Sequence, residues 1–252
     1  MTPAASLAGR VAVVAGAAHG IDAACARGYA AAGAVVVIAD VDTAGGEATA
    51  AAICATDHTA SFIGCDVGRS AECARLIAQT VRAQGRLDIL HDDSGIELCR
   101  SIWDTSDADA DGDRSVAINL SGSFWCARDA MRVMRNSGKG GVATLSASPH
   151  TFLTSREIAA DAATKCGRVA LKGAPFGIRV NAVLPGATET PMLQRETQAS
   201  GNAAAMLATF AAAFLASDAA SGVTGACIAS DGRLMATSNA GAAISYTGES
   251  RP

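Results

Sequence analysis

Apolar runs of strand length alternate with alanine-rich stretches along most of the chain. RVAVVAG (10–16), AVVVIAD (34–40), TASFIGCD (59–66), LDILHD (87–92), GGVATLSAS (140–148) and FGIRVNAVLPG (176–186) each read as a strand. Helical stretches over 20–33, 43–56, 69–85 and about 113–136 separate them. Strands that are apolar throughout, instead of alternating with polar residues, are buried on both faces, as in a parallel sheet covered by helices. The pattern therefore predicts a single α/β domain: a doubly wound, Rossmann-like, mostly parallel sheet with helices on both faces. The Gly, Ser and Ala-rich tail from about residue 238 is expected to be weakly ordered.

Composition narrows the function classes. A chain of 252 residues can bury a substantial core as one domain. Only 17% of residues are charged and the net charge is -4, so no basic face offers itself to nucleic acid. The longest apolar runs fall far short of the ~20 residues a membrane helix needs. The opening MTPAASLAGR lacks a charged and then apolar leader, and a cytoplasmic protein is expected. No two of the eight cysteines fall within four residues of each other, which excludes a local zinc knuckle or CxxC pair. They read as small buried hydrophobes in a reducing compartment, and no metal is expected.

The first strand runs into GAAHGID (16–22) and then a helix. Gly16 and Gly20 permit a tight turn, and with Ile21 they bring backbone N–H groups at a helix start toward a pyrophosphate. Asp40 closes the second strand, where a carboxylate can accept bonds from adenosine ribose hydroxyls. Val41 follows it, with no Arg to hold a 2′-phosphate, so NAD is expected over NADP.

From Arg10 to about Met235 the sequence resembles the short-chain dehydrogenase/reductase family. Gly16 and Gly20 echo its Gly-rich turn, Asp66 and Val67 its adenine-contacting Asp-Val, and Asp92, Asp93, Ser94 and Gly95 its Asn-Asn-Ala-Gly segment. Asn119 in AINLSGSFWC matches its catalytic Asn, and Pro185, Gly186 and Thr190 match its post-strand Pro-Gly and the loop that follows. FLASDAASGVTGACIASDG (214–232) is similar to its C-terminal strand region. The resemblance implies hydride transfer between NAD and a small alcohol or ketone.

In that family a Tyr stands four residues before the catalytic Lys, and a Ser thirteen residues before the Tyr. Lys165 and Ser148 fit this spacing, but the Tyr position holds Asp161. The only tyrosines, Tyr29 and Tyr246, lie in the first helix and the tail. An ordinary Asp titrates near ~3.9, and a nearby Lys holds it lower, so Asp161 is ionised and cannot donate a proton. Asp161 with Lys165 reads as an i,i+4 helical ion pair worth ~0.2–0.5 kcal/mol.

Further departures concern the cofactor. Position 22, usually a third glycine in the family, is Asp, an anion where pyrophosphate must sit. At ~4 Å and a dielectric of ~20 such a contact opposes binding by about 4 kcal/mol, unless Asp22 turns to cap the helix instead. Asp92 and Asp93 exchange two amides for acceptor-only groups. The resemblance implies a homo-oligomer, but the short helix after Lys165 speaks against it, and between Met192 and Phe214 the family's Pro-containing loop and its helix read as largely absent, replaced by Ala-rich NAAAMLATFAAAF.

Lesser signals carry bland readings. Ser148, His150 and Asp161 lack the GxSxG elbow of a hydrolase. His19 reads as an exposed loop residue, Trp103 and Trp125 as packing residues, and the acidic stretch 104–113 as a loop or helix start. Two function classes remain: an NAD-dependent oxidoreductase with weak or lost activity, and a non-catalytic nucleotide-binding or oligomer-partner protein, a pseudoenzyme.

Overall fold

The computed structural model describes residues 6–96, 111–147, 173–185 and 203–230. Seven strands form one parallel sheet in the order β3-β2-β1-β4-β5-β6-β7. They are β1 (Val11–Ala15), β2 (Val35–Asp40), β3 (Ala60–Gly64), β4 (Ile89–Asp92), β5 (Gly141–Ser146), β6 (Ile178–Pro185) and β7 (Cys227–Ser230). Every residue of β1 and β4 is buried, which is why their sequences carry no alternation. The sheet has a topological switch point between β1 and β4, since the chain winds outward to β3 and then returns to the other side of β1.

Helices cover both faces. The alanine-rich helices α1 (Gly20–Ala31) and α2 (Thr43–Cys54) share one core with α6 (Ala203–Ala216), built on Ala12, Val14, Val36, Ile38 and Tyr29. Small side chains let these helices lie close to the sheet. On the other face α3 (Ser70–Gln84) and α5 (Ser123–Ser137) enclose Val13, Val37, Leu76, Leu90, Cys126 and Met134. The single Rossmann-like domain expected from the apolar rhythm is thus the fold observed.

Two long-range contacts hold the C-terminal part. Arg179 on β6 donates to the carbonyls of Leu215 (2.8 Å) and Ser217 (2.9 Å), tying down the C-terminal end of α6. Asn181 bonds both Val223 O (2.9 Å) and Ala226 N (3.1 Å), fixing the approach to β7.

A π-helical segment, Val116–Gly122, joins the short helix α4 (Asp111–Ser115) to α5. Such insertions widen a helix locally and concentrate at functional sites. The acidic stretch ends here as a helix start; residues 104–110, with Trp103, the tail beyond 230 and His150, lie outside the described residues.

Candidate functional site

The carboxyl ends of β1, β2 and β4 meet at the switch point, and the turn after β1 is held from several sides. Gly16 N donates to Ala39 O at 2.8 Å, Ala18 N to Asp40 Oδ2 at 3.0 Å, and Thr49 Oγ1 of α2 to Ala18 O at 3.1 Å. Asp40 Oδ1 also accepts from Asp42 N at 3.0 Å, so this carboxylate organises the turn as well as closing β2. Gly16 has φ +82, and a Cβ there would lie 3.1 Å from Ser94 Cα and 2.8 Å from Asp22 Oδ2. Only glycine allows the turn to press so closely on the loop after β4.

His19 occupies the N-cap position of α1 without a side-chain capping bond, leaving the first-turn N–H groups uncapped by it. The ring of His19, exposed as expected, instead meets Asp42 at 2.7 Å. Asp42 also caps α2 through Gly45 N (3.1 Å), and these bonds, first that to Gly45 and then that to His19, hold its carboxyl below the usual range.

Asp22, expected from its position to meet a pyrophosphate or cap the helix, has its carboxylate between Gly16 and β4. Its buried side chain points down beneath the turn, with Oδ1 3.3 Å from Nε2 of His91 on β4. His91 Nδ1 lies 2.8 Å from Thr144 Oγ1, and Tyr29 OH lies 3.4 Å from that same hydroxyl. Burial disfavours the His91 imidazolium, but Cys25, Asp93 and Asp92 outweigh burial and raise its pKa above the ordinary histidine value. Burial pushes the Tyr29 phenol up as well, so it remains protonated and serves as a packed, hydrogen-bonding core residue.

The β3–α3 loop forms the next wall. Asp66 Oδ1 accepts from Gly68 N at 3.0 Å, while Glu72 Oε2 accepts from Asp66 N at 2.8 Å. Val67 is buried against Gly122 of the π segment, where a Cβ would come within 2.9 Å of its side chain. Cys73 Sγ donates to Val67 O at 3.2 Å, and Cys65 and Cys126 lie in the same core beside it. These three thiols, far apart in sequence, therefore form one buried group, and neighbouring thiols together with burial push the Cys65 and Cys73 pKa values up. They are unreactive packing groups. Cys54 departs from the buried-hydrophobe expectation, since it is exposed at the end of α2.

Asn119 sits within the π segment and exchanges two bonds with the loop after β4: Nδ2 donates to Ile96 O (2.8 Å) and Ile96 N donates to Oδ1 (2.9 Å). It thereby fixes the segment Asp92–Ile96. Asp92 is fully buried and its Oδ1 accepts from Ser94 N at 3.1 Å. Gly95 lies in that segment, and Pro185 ends β6 beside Ser230 of β7. Trp125 is a packing residue, with the Arg128 guanidinium 4.7 Å from its ring centroid. Ser148, Asp161, Lys165, Gly186 and Thr190 lie outside the described residues, as do 165–172 and 192–202 of the two segments read as shortened; the helix read as largely absent before Phe214 is present as the 14-residue α6.

An anionic dinucleotide suits this arrangement. Asp40 stands at the strand end beside the start of α1 and accepts from Ala18 N. Two buried hydroxyls at the carboxyl edge, Ser94 Oγ and Ser146 Oγ, make no hydrogen bond among the described residues. Such orphaned groups beside a switch point are partners for a polar ligand. Among the described residues no group of three or more His, Cys, Asp or Glu is arranged to hold a metal, and no helix is long and apolar enough to cross a membrane.

Comparison with known proteins agrees with this geometry. The family model described as short chain dehydrogenase matches residues 10–201. The chain is 36% identical to cis-4-hydroxycyclohexanecarboxylate dehydrogenase of Sinomonas cyclohexanicum, covering 90% of this chain and 97% of that protein. It is 32% identical to 2,5-dichloro-2,5-cyclohexadiene-1,4-diol dehydrogenase of Sphingobium indicum, covering 91% and 98%. A crystal structure of a putative short-chain alcohol dehydrogenase from Sinorhizobium meliloti superposes with a TM-score of 0.84 at 31% identity, over 92% of this chain and 98% of that one.

Proposed function

The chain belongs to the short-chain dehydrogenase family, and from that membership we propose an NAD-binding oxidoreductase for a small alcohol and its ketone, slow because its proton-transfer group is missing. The observation that supports the binding half is the glycine turn after β1, where Gly16 presses on the loop after β4 at the start of α1 and Asp40 stands at the adjacent strand end. Gly16, Gly20 and Ile21 hold the pyrophosphate, Asp40 the adenosine ribose, and Asp66 with Val67 the adenine. Asp92, Gly95, Pro185, Gly186 and Thr190 border the nicotinamide end, Asp92 through its backbone. NAD is preferred over NADP because Asp40 and Asp42 would repel a 2′-phosphate, and the cation nearest them, His19, is engaged by Asp42.

When bound, NAD supplies the hydride acceptor for an alcohol. Ser148 orients the substrate oxygen, Lys165 holds the nicotinamide ribose, and Asn119 anchors the path by which a proton leaves. Asp161, ionised beside Lys165, neither reaches the substrate oxygen nor carries a proton to a ketone, so water must exchange it. A second reading, a nucleotide-binding or oligomer-partner protein without turnover, is favoured by that same residue.

Two relatives whose names denote dehydrogenases of hydroxylated six-membered carbocycles support a cyclic secondary alcohol as the substrate class. The test is Asp161→Tyr, assayed by NADH formation with a panel of cyclohexanols. Restoring the phenol raises turnover by about 10²–10⁴-fold. A folded, NAD-binding variant with no gain would refute the role assigned to position 161.

A further inference from the structure

The loop after β4 carries a hydroxyl without a partner among the described residues. Ser94 stands two residues beyond the end of the strand, and its backbone is fixed on both sides. Its N–H donates to Asp92 Oδ1 at 3.1 Å, and two residues further on Asn119 grips Ile96 through N (2.9 Å) and O (2.8 Å). Ser94 is only 9% exposed, and its Oγ is buried and makes no hydrogen bond. Where the family carries the Ala of its Asn-Asn-Ala-Gly segment, this chain has added a polar atom in a rigid, closely packed place.

A buried hydroxyl without a partner costs free energy that an acceptor on a ligand would recover. A Cβ on Gly16 would stand 3.1 Å from Ser94 Cα and 3.2 Å from Ser94 N, so Ser94 lies directly against the glycine turn. That turn opens α1, a helix of 12 residues whose N-cap residue, His19, makes no side-chain capping bond. The N–H groups of such a start favour an anion. The other side chain bordering the Gly16 Cβ position is Asp22, with Oδ2 at 2.8 Å, and an ionised carboxylate only accepts. Ser94 can donate where Asp22 cannot. The adenine, assigned to Asp66 and Val67 after β3, lies beyond β1 and β2 from Ser94, so the part of a dinucleotide that reaches it is the pyrophosphate.

We infer that Ser94 Oγ is a side-chain donor to the pyrophosphate of the dinucleotide. The inference rests on the proposed dinucleotide binding and adds to it a contact that the backbone of the turn does not supply. The two anchors at Asp92 and Ile96 hold the donor in place before the ligand arrives, which limits the ordering cost of binding.

The experiment is calorimetric titration of the wild-type chain, Ser94→Ala and Ser94→Cys with NAD and with ADP-ribose, which keeps the pyrophosphate and lacks nicotinamide. Urea unfolding of the same three proteins is measured without ligand. Alanine removes the hydroxyl, and cysteine keeps its shape with a much weaker donor. Loss of a hydrogen bond to a charged group raises Kd about tenfold or more, for both ligands and in both variants. The urea midpoint of Ser94→Ala stays the same or rises, because the free protein loses no bond. Unchanged NAD affinity in Ser94→Ala, full affinity in Ser94→Cys, or a loss with NAD that ADP-ribose does not share overturns the inference while leaving the proposed function intact. A lower urea midpoint for Ser94→Ala reveals a partner within the protein and overturns it as well. Absence of NAD binding by the wild-type chain overturns both.

Discussion

Replacing Gly16 with Ala tests the packing on which the whole site depends. The residue has φ +82, which costs an L-residue about 1–2 kcal/mol. A Cβ would stand 3.1 Å from Ser94 Cα and 3.2 Å from Ser94 N, backbone atoms with little freedom to move, and 2.8 Å from Asp22 Oδ2. Overpacking of this kind adds about 1–3 kcal/mol. The sum, roughly 2–5 kcal/mol, lowers Tm by about 4–20 °C in a domain of this size. Urea unfolding of Gly16→Ala in the wild-type and Asp22→Gly backgrounds separates the causes, because only the Asp22 contact disappears in the second. The cost should fall by about 0.5 kcal/mol or more, the coupling expected of residues in contact. Equal costs in both backgrounds would refute an Asp22 side chain folded beneath the turn.

Four further changes probe the surrounding framework. Arg179→Met leaves the carbonyls of Leu215 and Ser217 without their charged donor and should destabilise the protein by about 2–3 kcal/mol in urea. Thr144→Val removes the hydroxyl beside His91 Nδ1 and should cost about 1–3 kcal/mol, measured by the same unfolding. Because the folded-state pKa of His91 is raised, its contribution is complete below the unfolded value of about 6.5 and is lost as pH rises through the folded value. The stability of Cys25→Ala, which removes the first group that raises it, should therefore fall less steeply over that window. Asp40→Ala should weaken NAD binding about tenfold while leaving NADP binding little changed, read by calorimetry.

The sheet was legible because its strands are buried on both faces, so apolar runs such as VVVIA at 35–39 need no partner to be recognised. The turn at Gly16 and the acid at Asp40 were equally local. The place of Asp22 was not legible for the opposite reason: its neighbours put it in an anion-binding turn, while its carboxylate lies against Gly16 and near His91 of β4, a contact between distant parts of the chain. The group formed by Cys65, Cys73 and Cys126 depends on β3, α3 and α5 coming together, which spacing cannot reveal. The π segment around Asn119 carries no signature of its own. Its widened turn coincides with Gly122 packing on Val67 and with the paired bonds to Ile96, both contacts between distant parts of the chain. Ser148, Asp161 and Lys165 remain a reading of sequence register, made visible by the four- and thirteen-residue spacing.

The central claim, that an acidic residue in the glycine-rich turn has been folded away and the dinucleotide site kept, is tested most directly by calorimetric titration of the wild-type chain with NAD and with NADP near pH 6. Saturable binding of NAD at one site per chain is predicted, with NADP weaker by about tenfold or more, as expected where carboxylates oppose a 2′-phosphate. No saturable NAD binding, or equal affinity for the two, would contradict it.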